Sequence, residues 1–236
     1  ESYRSRVVAY DTWTPATRSV PSNESAAVPW SSGWRMAGSE PLGTGRSASP
    51  GVSVMPGLRW AYSAGGTVYC APAVENSSYL YFTTGNGNLV KMAHDGNSQF
   101  SMPLPGVGAQ GTRASPLITY DQFSGPLAVW AAYRTSAGGR LQAFDQFGTA
   151  GVGVNMPGAV DASPIVMPDG RVIVGDKSGT VRAVNPDGTV NWTTTLPGGV
   201  FALVQMRELN NPVQVGVACG DWKLYGINGL TGQVIG

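Results

Sequence analysis

Four residues with binding chemistry stand at equivalent places in a recurring pattern. Tyr69, Arg113, Asp161 and Phe201 each come just before a short apolar segment that the chain repeats. An arginine beside an aspartate usually forms a structural ion pair. Alternatively, the planar guanidinium group of the arginine can bind a carboxylate or a sugar hydroxyl of a ligand. The two aromatic rings either serve packing or stack on a sugar or on a partner's side chain. These four residues are the first candidate contacts for a ligand or a partner.

Residues for catalysis and for metal binding are scarce. The 236 residues include one histidine, His94, and two isolated cysteines, Cys70 and Cys219. Structural zinc, haem attachment and a histidine-based triad all lack their ligands or bases in such a sequence. We therefore predict no catalytic residue, no metal ligand and no cofactor. The two cysteines are expected to be buried thiols, and a disulfide is the alternative.

The recurring segment predicts the architecture. Residues 114–118 read Ala-Ser-Pro-Leu-Ile and residues 162–166 read Ala-Ser-Pro-Ile-Val, with weaker copies from Ala71 and Ala202. The leading alanines are 43, 48 and 40 residues apart, which brackets the spacing of propeller blades, about 40–50 residues. Each copy continues through three more short apolar runs separated by glycine-containing turns, and four short antiparallel strands make one blade.

We therefore predict an all-β fold, a β-propeller of four-stranded antiparallel blades with about five blade equivalents. Either this ring is small and irregularly closed, or the chain is part of a larger ring. In a propeller, the residues just before each inner strand line one mouth of the central channel. The four candidate residues are expected to meet there, with Arg113 and Asp161 on adjacent blades.

The repeat as a whole resembles that of a known family. Its pattern is Ser-Pro-apolar, then Gly-x-Val-x-Val-Gly, then Gly-x-apolar-x-Ala-apolar-Asn/Asp, then Gly-x-x-x-Trp, and it is similar to the PQQ-like (quinoprotein-type) β-propeller repeat. Residues 224–234 are similar to the tryptophan-docking segment of that family, as are residues 183–192. The resemblance covers residues 58–236 and implies four blades, at about 58–101, 102–155, 156–196 and 197–236.

The resemblance implies a non-catalytic member of this family. Its dehydrogenases are longer rings with adjacent cysteines, a calcium site of acidic and amide ligands, and an aspartate base. This sequence has no Cys-Cys pair, and Asp161 is the one acidic residue at the predicted channel mouth. A hard cation takes six or more oxygen ligands, several of them carboxylates.

Residues 1–57 fit the repeat less well, and we interpret them as an irregular partial blade with a long loop. Residues 6–11 resemble the third strand of a blade. Trp13, Trp30 and Trp34 lie in this part, where exposed tryptophans would mark a contact surface. Packing against the first blade is the ordinary alternative.

The composition indicates which classes of partner are unfavourable and where the protein is located. Charged residues make up 12% and the net charge is +1, which argues against binding to nucleic acid or to an anionic membrane. No apolar run reaches the roughly 20 residues of a transmembrane helix. The low charge and the sequons at Asn23, Asn76 and Asn191 favour an exported protein, in the periplasm, on the cell surface or outside the cell.

Three functions remain open at this point. The first is a non-catalytic exported scaffold that binds another protein, because the repeat is similar to that of periplasmic lipoproteins that assist outer-membrane barrel assembly and of propellers on adhesins and pilus tips. The second is a glycan-binding, lectin-like propeller. The third is a fragment of a PQQ-dependent dehydrogenase.

Overall fold

The structure, a computed structural model, describes residues 60–75, 79–108, 111–120, 128–206 and 213–235. In these ranges the chain forms fifteen β-strands and no helix. The predicted irregular part at 1–57, including Trp13, Trp30 and Trp34, lies outside the described residues. The division of the chain into this part and four blades with the stated boundaries stays a prediction.

The strands form four antiparallel sheets in chain order. The first sheet contains β1 (Ala73–Val74), β2 (Tyr79–Thr83), β3 (Asn88–Ala93) and β4 (Ser98–Pro103). The second contains β5 (Leu117–Thr119), β6 (Ala128–Thr135), β7 (Gly138–Phe144) and β8 (Ala150–Met156). The third contains β9 (Ile165–Val166), β10 (Val172–Gly175), β11 (Thr180–Val184) and β12 (Val190–Thr195). The fourth contains β13 (Val200–Met206), β14 (Gln214–Cys219) and β15 (Leu224–Asn228).

Each sheet is a meander whose first strand lies innermost. The first strands contact one another in series, β1 with β5, β5 with β9 and β9 with β13. In the fourth sheet, Val234 forms a single bridge to Ile227 at the place of a fourth strand. Four consecutive blades packed around a common axis are a β-propeller, and the predicted fold class is confirmed.

The repeated Ala-Ser-Pro segment ties neighbouring inner strands together. The backbone N–H of Ala71 donates to Oγ of Ser115 at 3.1 Å. The backbone N–H of Ser115 in turn donates to Oγ of Ser163 at 2.9 Å. Ser115 and Ser163 therefore each accept a backbone N–H of the preceding blade, which gives the serine of the motif a role in the second and third blades.

The core lies between the sheets. One apolar cluster runs through the second, third and fourth sheets, and a second joins the first sheet to the second. Both faces of the third sheet are covered. Three valines and one alanine at its centre are therefore fully buried: Val172, Val174, Val181 and Ala183. Cys70 and Cys219 are free thiols; Cys219 is buried, as expected, whereas Cys70 is only half-buried.

Two tryptophans dock on the blade that follows them in the chain. Trp192 is 8% exposed, and its Nε1–H donates to the carbonyl of Gly229 at 3.0 Å. The ring lies against Gly232, where a Cβ atom would come within 2.7 Å of it. Trp60 packs on Gly96 in the same way and donates to the carbonyl of His94 at 2.9 Å. These turns therefore need glycine because a ring occupies the space of a side chain.

Candidate functional site

Tyr69, Arg113, Asp161 and Phe201 lie at one end of the propeller, as the repeat predicts. Each precedes or begins an inner strand, and this end also carries the turns between the second and third strands. These turns lie at residues 84–87, 136–137, 176–179 and 220–223. The chain runs in the same direction through all four sheets. The four segments that precede the inner strands and the four turns therefore lie on one face, which we call the mouth.

Asp161 is the centre of an ion pair between blades. Its two carboxylate oxygens accept from Nε of Arg134 at 2.6 Å and from its Nη2 at 2.5 Å. Nζ of Lys177 lies 3.8 Å from the same carboxylate. The strong ion pair on Asp161 is thus made by Arg134, at the end of β6, and not by Arg113.

Three positive charges act on the carboxyl of Asp161. Burial alone would raise its pKa, but the hydrogen bond and charge of Arg134 outweigh this effect, and the charges of Lys177 and Arg113 add to them. The pKa of Asp161 is therefore held below its ordinary value. Asp161 stays ionised at neutral pH and positions the basic side chains around it.

Aromatic rings flank this ion pair on both sides. Phe201 is 60% exposed, and Nζ of Lys177 lies over its ring, 3.4 Å from the centroid. Tyr69 is 58% exposed, and the guanidinium of Arg113 lies 5.5 Å from its ring centroid. A cation over a ring face is attracted by the quadrupole of the ring. The mouth therefore presents two exposed rings, each with a cation held on it.

Three residues of the mouth were not among the predicted contacts. Arg134 and Lys177 carry charge to Asp161 and Phe201, and Trp222 projects from the turn between β14 and β15 with 98% of its surface exposed. The N–H of Trp222 closes this turn on the carbonyl of Cys219, as the N–H of Gly179 closes the equivalent turn on Asp176. Aligning these turns by sequence would have shown a tryptophan at a glycine position.

The acidic side chains of the mouth are already bonded within the protein. Asp176 is fully buried and accepts backbone N–H groups of Gly158, Ser178 and Thr180 at 2.8–3.0 Å. Asp161 is bonded to Arg134. A calcium ion takes several free carboxylate oxygens, and the residues of the mouth do not present them. No group of three or more His, Cys, Asp or Glu side chains suited to a metal occurs among the described residues.

A shallow groove of about 540 Å³ lies at the opposite end, between the third and fourth blades. Its buried arginine, Arg171, donates to Asp169 at 2.8 Å, to Asn191 at 2.9 Å and to the carbonyl of Leu230 at 3.3 Å. These bonds use the guanidinium to join the two blades. We interpret this groove as a structural seam, and the mouth as the candidate site.

Comparisons with known proteins support the fold. No protein-family model matches the sequence, and neither does any curated protein. Two quinohemoprotein alcohol dehydrogenases, from Comamonas testosteroni and Pseudomonas putida HK5, match with a TM-score of 0.63 at 14% and 16% identity. These matches cover 89% and 87% of this chain and 41% and 40% of the dehydrogenase chains.

BamB from Moraxella catarrhalis also matches, with a TM-score of 0.56 and 17% identity over 75% of this chain and 52% of that chain. The chain thus spans about half the length of BamB and about two-fifths of the length of the dehydrogenases. The molecule has a β-propeller fold of the kind found in these proteins. No helix of the described ranges is long and apolar enough to cross a membrane.

Proposed function

We propose that the chain is a non-catalytic, exported scaffold that binds another protein through the mouth. The observation that carries this proposal is the pair of exposed rings, Tyr69 and Phe201, each with a cation held on its face. Aromatic residues and arginines supply most hot spots of protein interfaces. More than half of the surface of each residue is exposed and available for a partner.

The restrained charges of the mouth support a binding role. The bidentate pair of Arg134 with Asp161 joins the second and third blades and fixes the site across them. Lys177 extends this network to the fourth blade, where it lies on Phe201. Side chains held in this way lose little conformational entropy on association, which improves affinity.

Several features support a non-catalytic role in place of an oxidoreductase. In the described ranges, the carboxylate that lies between the two rings, Asp161, is held ionised and bidentate by Arg134. Its oxygens serve the ion pair, and the other acids of the mouth are bonded as well. Saturable binding of PQQ with calcium, accompanied by dye reduction with an alcohol or sugar, would contradict this part of the proposal.

Site-directed photo-crosslinking tests the proposed function. The photoreactive residue p-benzoylphenylalanine replaces Phe201 in one variant and Phe147 in a matched control. Phe147 is 77% exposed, in the turn between β7 and β8 at the opposite end of the molecule. In envelope and extracellular extracts of the source organism, we expect one protein to crosslink at position 201 and not at position 147.

The captured protein is then purified and its binding measured directly. We expect saturable binding that Phe201→Ala weakens at least fivefold and Phe147→Ala leaves unchanged. Crosslinks that are equal at both positions, or binding of a glycan array with no protein partner, would contradict the proposal. The second of these results would favour the lectin-like alternative. Recovery of the protein from the cytoplasmic fraction alone would contradict export.

A further inference from the structure

We propose that the mouth binds an acidic, extended segment of its partner protein, and that Trp222 is the anchor of this contact. The inference rests on the function proposed above and adds the chemistry of the partner. It follows from three observations: the strained backbone of Trp222, its full exposure, and the distribution of charge around it.

Trp222 occupies a conformation that disfavours it. Its φ is 68°, and it is the one non-glycine residue with a positive φ in the described part of the chain. The residue that closes the equivalent turn of the third blade, Gly179, has a φ of 90°. An L-residue with a side chain is strained in this region, because its Cβ atom approaches the following carbonyl. Glycine would be the more stable choice at position 222.

No packing of the indole in the described structure offsets this strain. The indole of Trp222 is 98% exposed, so it contributes almost no burial to the core. The turn is nevertheless held firmly, because the Trp222 N–H donates to the Cys219 carbonyl at 3.2 Å and the Tyr225 hydroxyl donates to Asp221 at 2.6 Å. Strain that the surroundings maintain without a structural gain is a sign of function.

Trp222 belongs to the same surface as Phe201. Val200 pairs with Cys219, so the start of β13 lies beside the end of β14, and the turn at 220–223 follows directly. A Cβ atom on Gly220 would lie 3.1 Å from the ring of Phe201. The exposed indole therefore continues the row of Tyr69, Arg113, Lys177 and Phe201 further along the fourth blade.

The charge of the mouth favours an anionic partner. The charged side chains that it brings together in the described ranges are Arg113, Arg134, Lys177, Lys223, Asp161, Asp176 and Asp221. Each of the three carboxylates already accepts hydrogen bonds within the protein. Arg113 and Lys177 lie on ring faces, and Lys177 is also 3.8 Å from the carboxylate of Asp161. A stacked cation keeps N–H donors for a second partner. A carboxylate of the partner can therefore bind beside each ring.

The extent of the surface favours a protein segment over a single sugar. The contacts lie on four consecutive blades, from Tyr69 before β1 to Trp222 after β14. An extended peptide can place acidic and apolar side chains along such a row. Trp, Tyr and Arg are also the residue types that dominate protein hot spots.

A pair of synthetic peptides tests the inference. The probe is a fluorescein-labelled peptide of about 12 residues that repeats Glu-Gly-Phe-Gly, which spans roughly 40 Å when extended. The matched peptide repeats Gln-Gly-Phe-Gly. By fluorescence anisotropy, we expect the acidic peptide to bind at least fivefold more tightly, and to lose roughly tenfold in affinity between low and high salt.

The variant Trp222→Gly separates a binding role from a structural one. We expect it to weaken binding of the acidic peptide at least fivefold and to raise the thermal midpoint by roughly 2–4 °C, because glycine relieves the strain. Phe147→Ala serves as the aromatic control and should leave binding unchanged. Lys177→Gln should reduce the preference for the acidic peptide over its neutral match. A lower thermal midpoint for Trp222→Gly would overturn the inference.

The outcomes distinguish this inference from the proposed function. If position 201 crosslinks a partner protein and the acidic peptide neither binds nor competes, the acidic-segment inference is overturned and the scaffold function stands. If a polyuronate binds with the same dependence on Trp222 and Lys177 and the peptide does not, the partner is a glycan and the inference is likewise overturned.

Discussion

The ion pair of Asp161 with Arg134 should make the stability of the protein depend on pH. The folded pKa of Asp161 lies below its ordinary value. Its contribution is therefore complete above the unfolded pKa, about 3.9, and is lost as the pH falls through the folded pKa. Because the pair is partly exposed, we expect Asp161→Asn to lower the free energy of unfolding by about 1 kcal/mol at neutral pH.

A double-mutant cycle with Arg134→Gln measures this contribution. Denaturant unfolding of the wild type, both single variants and the double variant should show the coupling at pH 7 and lose it in acid. A coupling that persists unchanged at a pH well below the folded pKa would show that packing, and not the charge of Asp161, carries the interaction.

The candidate site could be predicted from sequence only where it follows the repeat. Tyr69 and Phe201 hold the position before an inner strand, and their exposure at the mouth follows from that position. Arg134 lies at the end of a second strand, and its contact with Asp161 crosses to the next blade. No sequence spacing encodes such a contact, because it depends on how two sheets are placed. Trp222 occupies a turn position that holds glycine in the third blade. It was missed because the copies of this turn differ in sequence.

Blades associate through side chains that dock on the turn after the third strand. We expect Trp192→Ala to lower the free energy of unfolding by about 3–5 kcal/mol, because it removes a buried ring and its hydrogen bond to Gly229. Thermal or denaturant unfolding measures this effect. A loss below about 1 kcal/mol would contradict the docking of Trp192 on the fourth blade.

Two glycine variants serve as the matched control. Gly232 and Gly170 have φ values of 75° and 87°, so alanine strains the backbone at both, at a cost of about 1 kcal/mol. Only at Gly232 would the new Cβ also come within 2.7 Å of the Trp192 ring, since at Gly170 the nearest atom is 3.7 Å away. Gly232→Ala should therefore be clearly the more destabilising of the two.

The strands and turns could be predicted from the sequence because each depends on a local pattern of residue types. Alternating valines and the Asp-Gly turns predict the strands of the third blade, and the structure places β10 and β11 where those runs lie. The serine of the Ala-Ser-Pro segment has a role that only the assembled blades reveal, since Ser163 accepts from the backbone of the blade before it.

At the scale of the whole molecule, the blades are unequally covered. Both faces of the third sheet lie in the core, and the residues of β11 are largely buried. The fourth sheet contacts the third on one face, while on its other face Leu224 is 80% exposed in the described structure. An apolar groove of about 240 Å³ runs along this face, between residues of β13, β14 and β15.

Hydrogen exchange should report this difference directly. A strand with few buried contacts opens locally at a lower free energy than the core. We therefore expect the amides of β14 (Gln214–Cys219) to exchange faster than those of β10 (Val172–Gly175), although both are second strands with a hydrogen-bonded strand on each side. Equal protection would contradict this expectation and show that a further surface covers the fourth sheet in solution. Repeating the measurement at several protein concentrations would then decide the source of that cover, because protection from a second copy falls on dilution and protection from within the chain does not.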